Sequence, residues 1–319
     1  MTKKPPLISI IITCFNAERT IAKSIFSALN QSWKNKEILV IDDNSTDSSF
    51  QEITKIKNKY KYKSIKVFRN KQNMGAAYSR NLIVKKASGE FIAFFDDDDE
   101  SSASRILEQY LTLINWERKL ESRIIACYCS GVRHYSNGYK YLLDAIGSKL
   151  FPPSGFPLID HLLFNKSNKK FFFGAGVPAC SLMIRTELFN KVGGFDPNMR
   201  RVEDADLAIR LTGHGCFFVG TKKRVFNQYS TIASDKTPKI NFKNELFLIE
   251  KNKRYLKSIN KYLYSKLWFR IRYYHFNKDI FLFLLTLFLF VLLFPLDGMN
   301  HILESFPRRF FHERKINKI

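Results

Sequence analysis

The chain has 319 residues, 45% of them hydrophobic, so it is long and apolar enough to bury a large core, which excludes a disordered or fibrous protein. It carries 52 Lys+Arg against 29 Asp+Glu, and this net charge of +23 favours a polyanionic partner: nucleic acid, an anionic membrane surface or a phosphate-bearing substrate. An AT-rich genome, which inflates lysine and asparagine, accounts for the excess equally well. Five cysteines without a CxxC pattern argue against a disulfide framework or zinc site and favour a reducing compartment.

The first hundred residues alternate between strand and helix patterns. Helical patterns cover residues 18–31, the stretch after "NSTDSS" and residues 75–88, and they separate four apolar runs: "LISIIIT", "EILVID", "SIKVFR" and "EFIAFF". This βαβαβαβ order predicts a parallel sheet covered by helices on both faces. The first run also has the composition of a short signal peptide, but Asn16, Glu18 and Arg19 follow without a cleavage pattern, so we interpret it as a strand.

The chain becomes less regular after the fourth strand. A helix is predicted over 101–120 and a strand over "RIIACYCSG", whereas residues 131–178 are rich in Pro, Gly and aromatic residues. Regular patterns return with "CSLMIRTELFNKVGGFD" and with "VEDADLAIRLTGHG", a helix with acidic residues in its first turn.

The C-terminal part is basic and contains an apolar run. Residues 251–319 carry 14 Lys+Arg and 4 Asp+Glu, and residues 280–296 form the 17-residue run "IFLFLLTLFLFVLLFPL". As a helix this run is about 25 Å long, shorter than the roughly 30 Å hydrocarbon core of a bilayer, and both of its flanks are basic. We therefore favour a re-entrant or in-plane membrane anchor, with a single span and a buried core helix as alternatives.

Acidic residues follow two of the predicted strands. Asp42 and Asp43 come after the second strand and Asp96–Asp99 after the fourth, at the sheet edge where α/β proteins bind ligands. On an extended loop Asp96 and Asp98 share a side and suit Mg²⁺ or Mn²⁺ completed by a phosphate. A solvated acidic turn, or a cap for the next helix, is the alternative. The GxGxxG and Walker patterns are absent, which excludes the usual dinucleotide and P-loop sites.

Five ordered stretches closely resemble family 2 glycosyltransferases of the GT-A fold: "SIIITCFNAE", "ILVIDDNSTD", "RNKQNMGAAYSRN", "GEFIAFFDDDDES" and "VGGFD" with "VEDADLAIRL". The resemblance covers residues 7–225. It implies a Rossmann-like α/β domain with a mostly parallel sheet over 1–235, whose nucleotide-sugar half is about 1–100 and whose acceptor half is about 101–235. A basic helical region that associates with membranes, 236–319, would follow.

The resemblance also implies roles for single residues. Asp98, possibly with Asp96, would hold Mn²⁺ or Mg²⁺ against the donor diphosphate. Asp204 would be the general base, and its place at a helix N-terminus should lower its pKa and keep it ionised. Contacts to the donor nucleotide are implied for Thr13, Asn16, Glu18, Asp43, Gly75, Arg80, Asp96 and Asp97.

One feature of many GT-A enzymes is missing. They supply a late histidine to the metal or phosphate, but "KKRVFNQYSTIASDKT" contains none. His214 is expected in the turn "TGHG", so Asp98 with water, or a residue such as Gln228 or Thr231, would fill this place.

The implied activity is inverting transfer of a sugar from a nucleotide-diphosphate donor, with uracil as the favoured base, to a glycan or lipid-linked acceptor of cell-surface polysaccharide. The apolar run favours a polyprenyl-linked acceptor and a place on the cytoplasmic face of the plasma membrane, peripheral, monotopic or single-pass. Residues 132–178 are the candidate acceptor-recognition segment. Alternatives are a sugar nucleotidyltransferase, whose Gly-rich loop is absent, and a non-enzymatic polyanion binder, for which the apolar run favours a membrane surface over nucleic acid.

Overall fold

The computed structural model describes residues 4–60, 65–230 and 237–316, apart from the side chains of 306–311. Nine strands lie in the described part: β1 (Ile8–Cys14), β2 (Lys36–Asp42), β3 (Ile65–Arg69), β4 (Phe91–Asp96), β5 (Glu100–Ser101), β6 (Ile125–His134), β7 (Lys140–Leu143), β8 (Leu182–Arg185) and β9 (Phe217–Tyr229). The helices are α1 (Ile21–Leu29), α2 (Ser49–Lys59), α3 (Ala76–Val84), α4 (Arg105–Leu120), α5 (Phe156–Phe164), α6 (Thr186–Lys191), α7 (Glu203–Gly213), α8 (Pro238–Lys251), α9 (Lys253–Ser258), α10 (Tyr262–Phe276), α11 (Ile280–Leu293) and α12 (Pro295–Ile316).

The strands form one mixed sheet in the order β3-β2-β1-β4-β8-β6-β9-β5, with β7 paired to β6. The first four strands pair in parallel, as predicted, and β6 pairs in parallel with β9. In contrast, β8 is antiparallel to both β4 and β6. The chain enters β8 from a 3₁₀ turn, Ala179–Ser181, beside the carboxyl end of β4, so it runs back along that strand. The predicted mostly parallel pairing therefore holds for the first half of the sheet, and the second half is mixed.

Both faces of the sheet are covered, because alternate strand residues point to opposite sides. In β1, Ile10 and Ile12 pack in a cluster with Ile25 of α1 and Ile53 of α2. Ile11 faces the other way, into a cluster that also takes in side chains of α3, α6 and α7. The apolar runs of the first four strands thus fill two cores, and the prediction of helices on both faces is confirmed.

The C-terminal helices share a third core with the sheet domain. Leu163 of α5 and Ile209 of α7 pack in one cluster with Leu248 of α8 and Trp268 of α10. Helix α8 also contacts the loop before α7 through Asn244, whose side-chain oxygen accepts from Arg200 N at 3.0 Å. The region after residue 236 is therefore packed directly on the elements that surround the site described below.

The apolar run 280–296 divides into two helices. Helix α11 ends at Leu293, and Pro295 begins α12, as expected for a residue that cannot continue a helix. In α11 only Thr286 and Phe290 are buried, whereas Phe281 is 75% exposed. The alternative of a buried core helix is therefore wrong. No helix in the described ranges is long and apolar enough to cross a membrane.

Candidate active site

A cavity of about 850 Å³ lies at the carboxyl ends of β1, β2 and β4. This edge collects the polar loops because parallel strands all end there. Nine of the ten residues predicted for the site line the cavity: Thr13, Asn16, Glu18, Asp43, Gly75, Arg80, Asp96, Asp97 and Asp98. The tenth, Asp204, is adjacent in sequence to Glu203, which does line it.

Asn16 and Glu18 join the loop after β1 to the loop after β2. Asn16 has a left-handed backbone (φ 51°), and its side-chain oxygen accepts from Thr46 N at 2.9 Å. A Glu18 carboxylate oxygen accepts from Ser48 N at 3.0 Å. These bonds fix the outer wall of the cavity.

Asp43 shapes the loop that follows β3. Its buried carboxylate accepts hydrogen bonds from Asn70 Nδ2 at 2.6 Å, Met74 N at 2.9 Å and Gly75 N at 2.7 Å. Gly75 has φ +89°, and a Cβ there would lie 2.9 Å from Nη1 of Arg200. The left-handed backbone favours glycine at this position, and the absence of a Cβ leaves room for the Arg200 side chain over the loop.

The four-aspartate run is a turn rather than an extended loop. Strand β4 ends at Asp96, and Asp99 N donates to Asp96 O at 3.5 Å. The expectation that Asp96 and Asp98 share a side of an extended loop is therefore wrong: ligand atoms of Asp96, Asp99 and Cys180 lie within 4.8 Å of one another. The Asp97 carboxylate accepts from Phe15 N at 2.9 Å, which ties the turn to the end of β1.

This turn concentrates negative charge in a shielded place. Burial, and next the charge of Asp98, raises the pKa of Asp97 to about 7. Burial, followed by the charges of Asp96 and Asp98, raises the pKa of Asp99 to about 8. Within the described residues, neither carboxyl oxygen of Asp99 has a hydrogen-bond partner. A divalent cation would relieve this repulsion, and the hard carboxylate oxygens suit Mg²⁺ or Mn²⁺, so the residues fit such an ion.

Arg80 connects the acidic turn to α7. Its side chain is buried, and its two amino groups donate to Asp96 at 2.9 Å and to Glu203 at 2.8 Å. These two carboxylates outweigh the effect of burial and raise the pKa of Arg80, so it is a permanent cation. The resemblance implied that Arg80 contacts the base and phosphates of the donor. In the structure, however, both of its amino groups donate to protein carboxylates.

Asp204 lies in the first turn of α7. Burial, and then the nearby Glu203, raises its pKa to about 7, although Arg80 and Arg201 act in the opposite direction. The expectation that the helix N-terminus would lower this pKa is wrong, because the loss of hydration outweighs the helix dipole. A carboxylate with a pKa near 7 can accept a proton in neutral solution and is well matched to general-base work.

Sequence reasoning missed a set of contacts between α8 and the loop before α7. Arg201 donates from Nε to Asn241 Oδ1 at 3.0 Å, and Lys251 contacts Asp196 at 2.6 Å and Asp206 at 2.5 Å. The paired arginines directly before "VED" were a visible signal for Arg200 and Arg201, since both line the cavity. Nothing in the local sequence pointed to their partners on α8.

The structure also places the candidates for the missing histidine. Gln228 on β9 donates to Cys180 Sγ at 3.7 Å and accepts from Arg133 at 2.8 Å. Because Cys180 lies beside Asp96 and Asp99, Gln228 is linked to the acidic turn through Cys180. Thr231 lies outside the described residues. His214 directly follows α7, in the predicted turn.

An α/β sheet with this acidic cavity at its carboxyl edge is the architecture of GT-A nucleotide-sugar enzymes. The family model for glycosyl transferase family 2 matches residues 9–186, more than half of the chain, and the chain belongs to this family.

Several known proteins are similar to it. An Escherichia coli protein, UDP-Glc:alpha-D-GlcNAc-diphosphoundecaprenol beta-1,3-glucosyltransferase WfaP, is 42% identical over 103 residues, 32% of this chain and 39% of its own length. The chain thus spans about two fifths of that relative. S. aureus TarS 1-349 in complex with UDP-GlcNAc superposes with TM-score 0.57 at 17% identity, over 84% of this chain and 73% of the 1-349 chain. The mannosyltransferase PcManGT from Pyrobaculum calidifontis, in complex with GDP-Man and Mn2+, superposes with TM-score 0.54 at 14% identity, over 79% of this chain and 65% of the PcManGT chain.

Proposed function

We propose that the protein transfers a sugar from a UDP-sugar to a polyprenyl-linked glycan acceptor, with inversion at the anomeric carbon. The observation that carries this proposal is the arrangement around Arg80. One carboxylate partner, Asp96, belongs to the acidic turn, and the other, Glu203, precedes the candidate base Asp204. In this proposal Arg80 joins the donor diphosphate site, at Asp96, to the residue that precedes the proton acceptor. WfaP, by its name, uses UDP-Glc and a diphosphoundecaprenol acceptor, and TarS binds UDP-GlcNAc.

The transfer follows from this geometry. An acceptor hydroxyl oxygen forms a bond to the anomeric carbon from the face opposite the nucleotide, while the bond from that carbon to the phosphate oxygen breaks. Asp204 takes the hydroxyl proton, and the electron pair of the broken bond leaves with UDP. Mn²⁺ or Mg²⁺, held by Asp98 together with Asp96 or Asp99, would supply positive charge against the departing diphosphate. Asp43 orients the loop Asn70–Gly75, which forms the nucleoside end of the cavity.

The helices after residue 236 support attachment to a membrane surface. Helices α11 and α12 expose eleven large apolar side chains: Ile280, Phe281, Leu284, Leu285, Phe288, Leu289, Leu292, Leu293, Leu296, Met299 and Leu303. So many exposed apolar side chains on two consecutive helices are unusual for an unpartnered soluble domain. Exposed Arg270 and Lys278 lie beside it in the chain and suit anionic headgroups.

We therefore propose that residues 1–235 form the catalytic domain and that 236–319 hold it peripherally on the cytoplasmic face of the plasma membrane. There it would meet a lipid-linked acceptor, recognised in part by the segment 132–178. In this segment the regular elements are the end of β6, β7 and α5, and the loops between them stay available for specificity.

Calorimetric titration of UDP tests the donor site. We expect binding in the presence of Mn²⁺ and its loss with EDTA or in Asp98→Asn. Glu52→Gln removes a comparable charge from α2, outside the cavity, and should bind UDP like the wild type. Binding that ignores both EDTA and Asp98→Asn would contradict the metal assignment. Binding of GDP or dTDP instead of UDP would contradict the uridine donor, and no nucleotide binding by the folded protein would contradict the whole proposal.

A further inference from the structure

Arg201 is a cation in the cavity wall whose guanidinium group is only partly used. Its Nε donates to Asn241 on α8, and across the described ranges no carboxylate forms an ion pair with it. It is half-buried and lines the cavity that also contains the acidic turn. A partly desolvated guanidinium with two amino groups left for a ligand indicates that an anion binds there.

The other arginines of the cavity wall differ from Arg201. Arg80 is committed to Asp96 and Glu203, and Arg200 donates to the side chain of Asn73 at 2.5 Å and to its carbonyl at 3.2 Å. Arg200 therefore belongs to the nucleoside end of the cavity, next to Gly75. Arg19 is exposed at the rim. Among these four arginines, Arg201 is therefore the half-buried one that has no carboxylate partner. It lies near Asp204 and acts to lower the pKa of that carboxyl.

The chemistry of the leaving group matches this position. The bond that breaks joins the sugar to the terminal phosphate of the nucleoside diphosphate, so negative charge increases on that phosphate, opposite the attacked face. A guanidinium fork donates two parallel hydrogen bonds to a phosphate, which suits the two amino groups that Arg201 has left.

We infer that Arg201, held in place by Asn241, forms a subsite for the terminal phosphate of the nucleoside diphosphate. The inference rests on the proposed function, and it adds that α8 helps to build the donor site. Both residues lie beyond the match to the family model, which ends at residue 186. The C-terminal region then has two roles, because α11 contacts α10, and α10 in turn contacts α8, the helix that orients Arg201.

The test compares UDP with UMP, which lacks the terminal phosphate. Each is titrated calorimetrically with Mn²⁺ into wild type, Arg201→Gln, Arg201→Lys and Asn241→Ala. A lost charge-assisted hydrogen bond predicts UDP affinity about 10- to 100-fold weaker in Arg201→Gln, with UMP affinity unchanged. Arg201→Lys should lose less, since it keeps the charge without the fork. Asn241→Ala should show a smaller loss that is again specific to UDP. Lys222→Gln, an exposed β9 lysine outside the cavity, controls for net charge.

Two results would overturn the inference: unchanged UDP affinity in Arg201→Gln, or equal losses for UDP and UMP. If Arg201→Gln does not fold, as judged by its thermal melt, the Arg201→Lys and Asn241→Ala series decides by the same criterion. If the wild type binds no UDP, the result contradicts the proposed UDP-sugar donor and not the subsite. Titration with inorganic pyrophosphate then tests the subsite by itself. Weaker pyrophosphate binding in Arg201→Gln would then support the subsite, and equal binding would overturn it.

Discussion

The guanidinium group of Arg80 lies 2.8 Å from the carboxylate of Glu203, a residue 123 positions further along the chain. Its other amino group is 2.9 Å from Asp96. One buried side chain on α3 thus joins the end of β4 to the start of α7. This bridge helps to set the distance between the acidic turn and Asp204, so in the proposed mechanism the donor site and the general base would share one support.

Removing the Arg80 bridge should destabilise the fold. Arg80→Gln leaves Asp96 and Glu203 without their cation, and breaking a buried pair in this way costs about 3–5 kcal/mol. The midpoint of chemical denaturation should therefore be lower than that of the wild type. The rate of sugar transfer should also fall at temperatures at which the variant is still folded.

Arg123→Gln is the matched control for that experiment. Arg123 pairs with Glu90 at 3.7 Å, but the two side chains are 67% and 51% exposed. An exposed pair contributes about 0–1 kcal/mol, so this variant should unfold close to the wild type. Equal destabilisation by the two substitutions would contradict the role given to the Arg80 bridge.

Much of the fold was visible in the sequence because it depends on local patterns. The isoleucine-rich run in β1 predicted a buried strand, and the acidic residues after β2 and β4 predicted a ligand site at the edge of the sheet where the cavity lies. The turn that brings Asp99 beside Asp96 was missed, because four identical residues carry no local signal for the direction of the chain. The antiparallel β8 and the bond from Asn241 to Arg201 were missed for a related reason: both depend on contacts between distant segments. The raised pKa of Asp204 depends on burial, which a helix position alone does not reveal.

Asp204→Asn should reduce transfer strongly while sparing the donor site. A positioned general base contributes about 10²- to 10⁴-fold, so we expect a loss of this size in kcat. The amide has nearly the same shape, and UDP affinity should stay close to that of the wild type. Single-turnover transfer and UDP titration measure the two effects separately. Undiminished transfer would show that another group takes the proton.

The pH dependence of transfer follows from the same carboxyl group. Asp204 acts as a base only when it is ionised, and its pKa is about 7. The plot of kcat/KM against pH should therefore rise about tenfold per pH unit below 7 and level off above it. Arg201→Gln should move this rising limb to higher pH, since Arg201 opposes the elevation of the pKa. A flat profile between pH 5.5 and 8 would rule out a titrating base with this pKa.

The acidic turn should make the metal-free protein less stable as pH rises. The folded-state pKa values of Asp97 and Asp99, about 7 and 8, lie above the ordinary value of 3.8, so their stabilising contribution is complete below about pH 4 and is lost as pH rises through 7 to 8. Mn²⁺ binds the ionised carboxylates and should raise the melting temperature more at pH 8 than at pH 5.5.

Asp99→Asn separates this effect from other titrations. It removes the buried charge, so the metal-free variant should melt higher than the wild type, and the difference should be larger at pH 8 than at pH 5.5. Thermal melts with and without Mn²⁺ at both pH values check the pattern. If Mn²⁺ stabilises the wild type equally at both values, ionisation of the turn is not linked to metal binding.

The exposed face of α11 should determine binding to lipid vesicles. Leu284 and Phe288 lie four residues apart on one side of the helix and are 56% and 64% exposed. Burial of each such side chain in the headgroup region stabilises binding by roughly 1.5–3 kcal/mol, so Leu284→Glu with Phe288→Glu should weaken vesicle binding by at least about 100-fold. Because neither side chain packs in the core, the melting temperature should change little.

Co-sedimentation with phosphatidylglycerol-containing vesicles measures this binding, and Leu111→Glu is its control. Leu111 lies on α4 with a similar exposure of 54%, away from the α11–α12 face, and its replacement should leave vesicle binding unchanged. Salt should weaken the wild-type interaction without abolishing it, because screening removes the attraction of the basic residues but not the burial of apolar surface. Equal vesicle binding by wild type and the double α11 variant would show that this face meets something other than lipid.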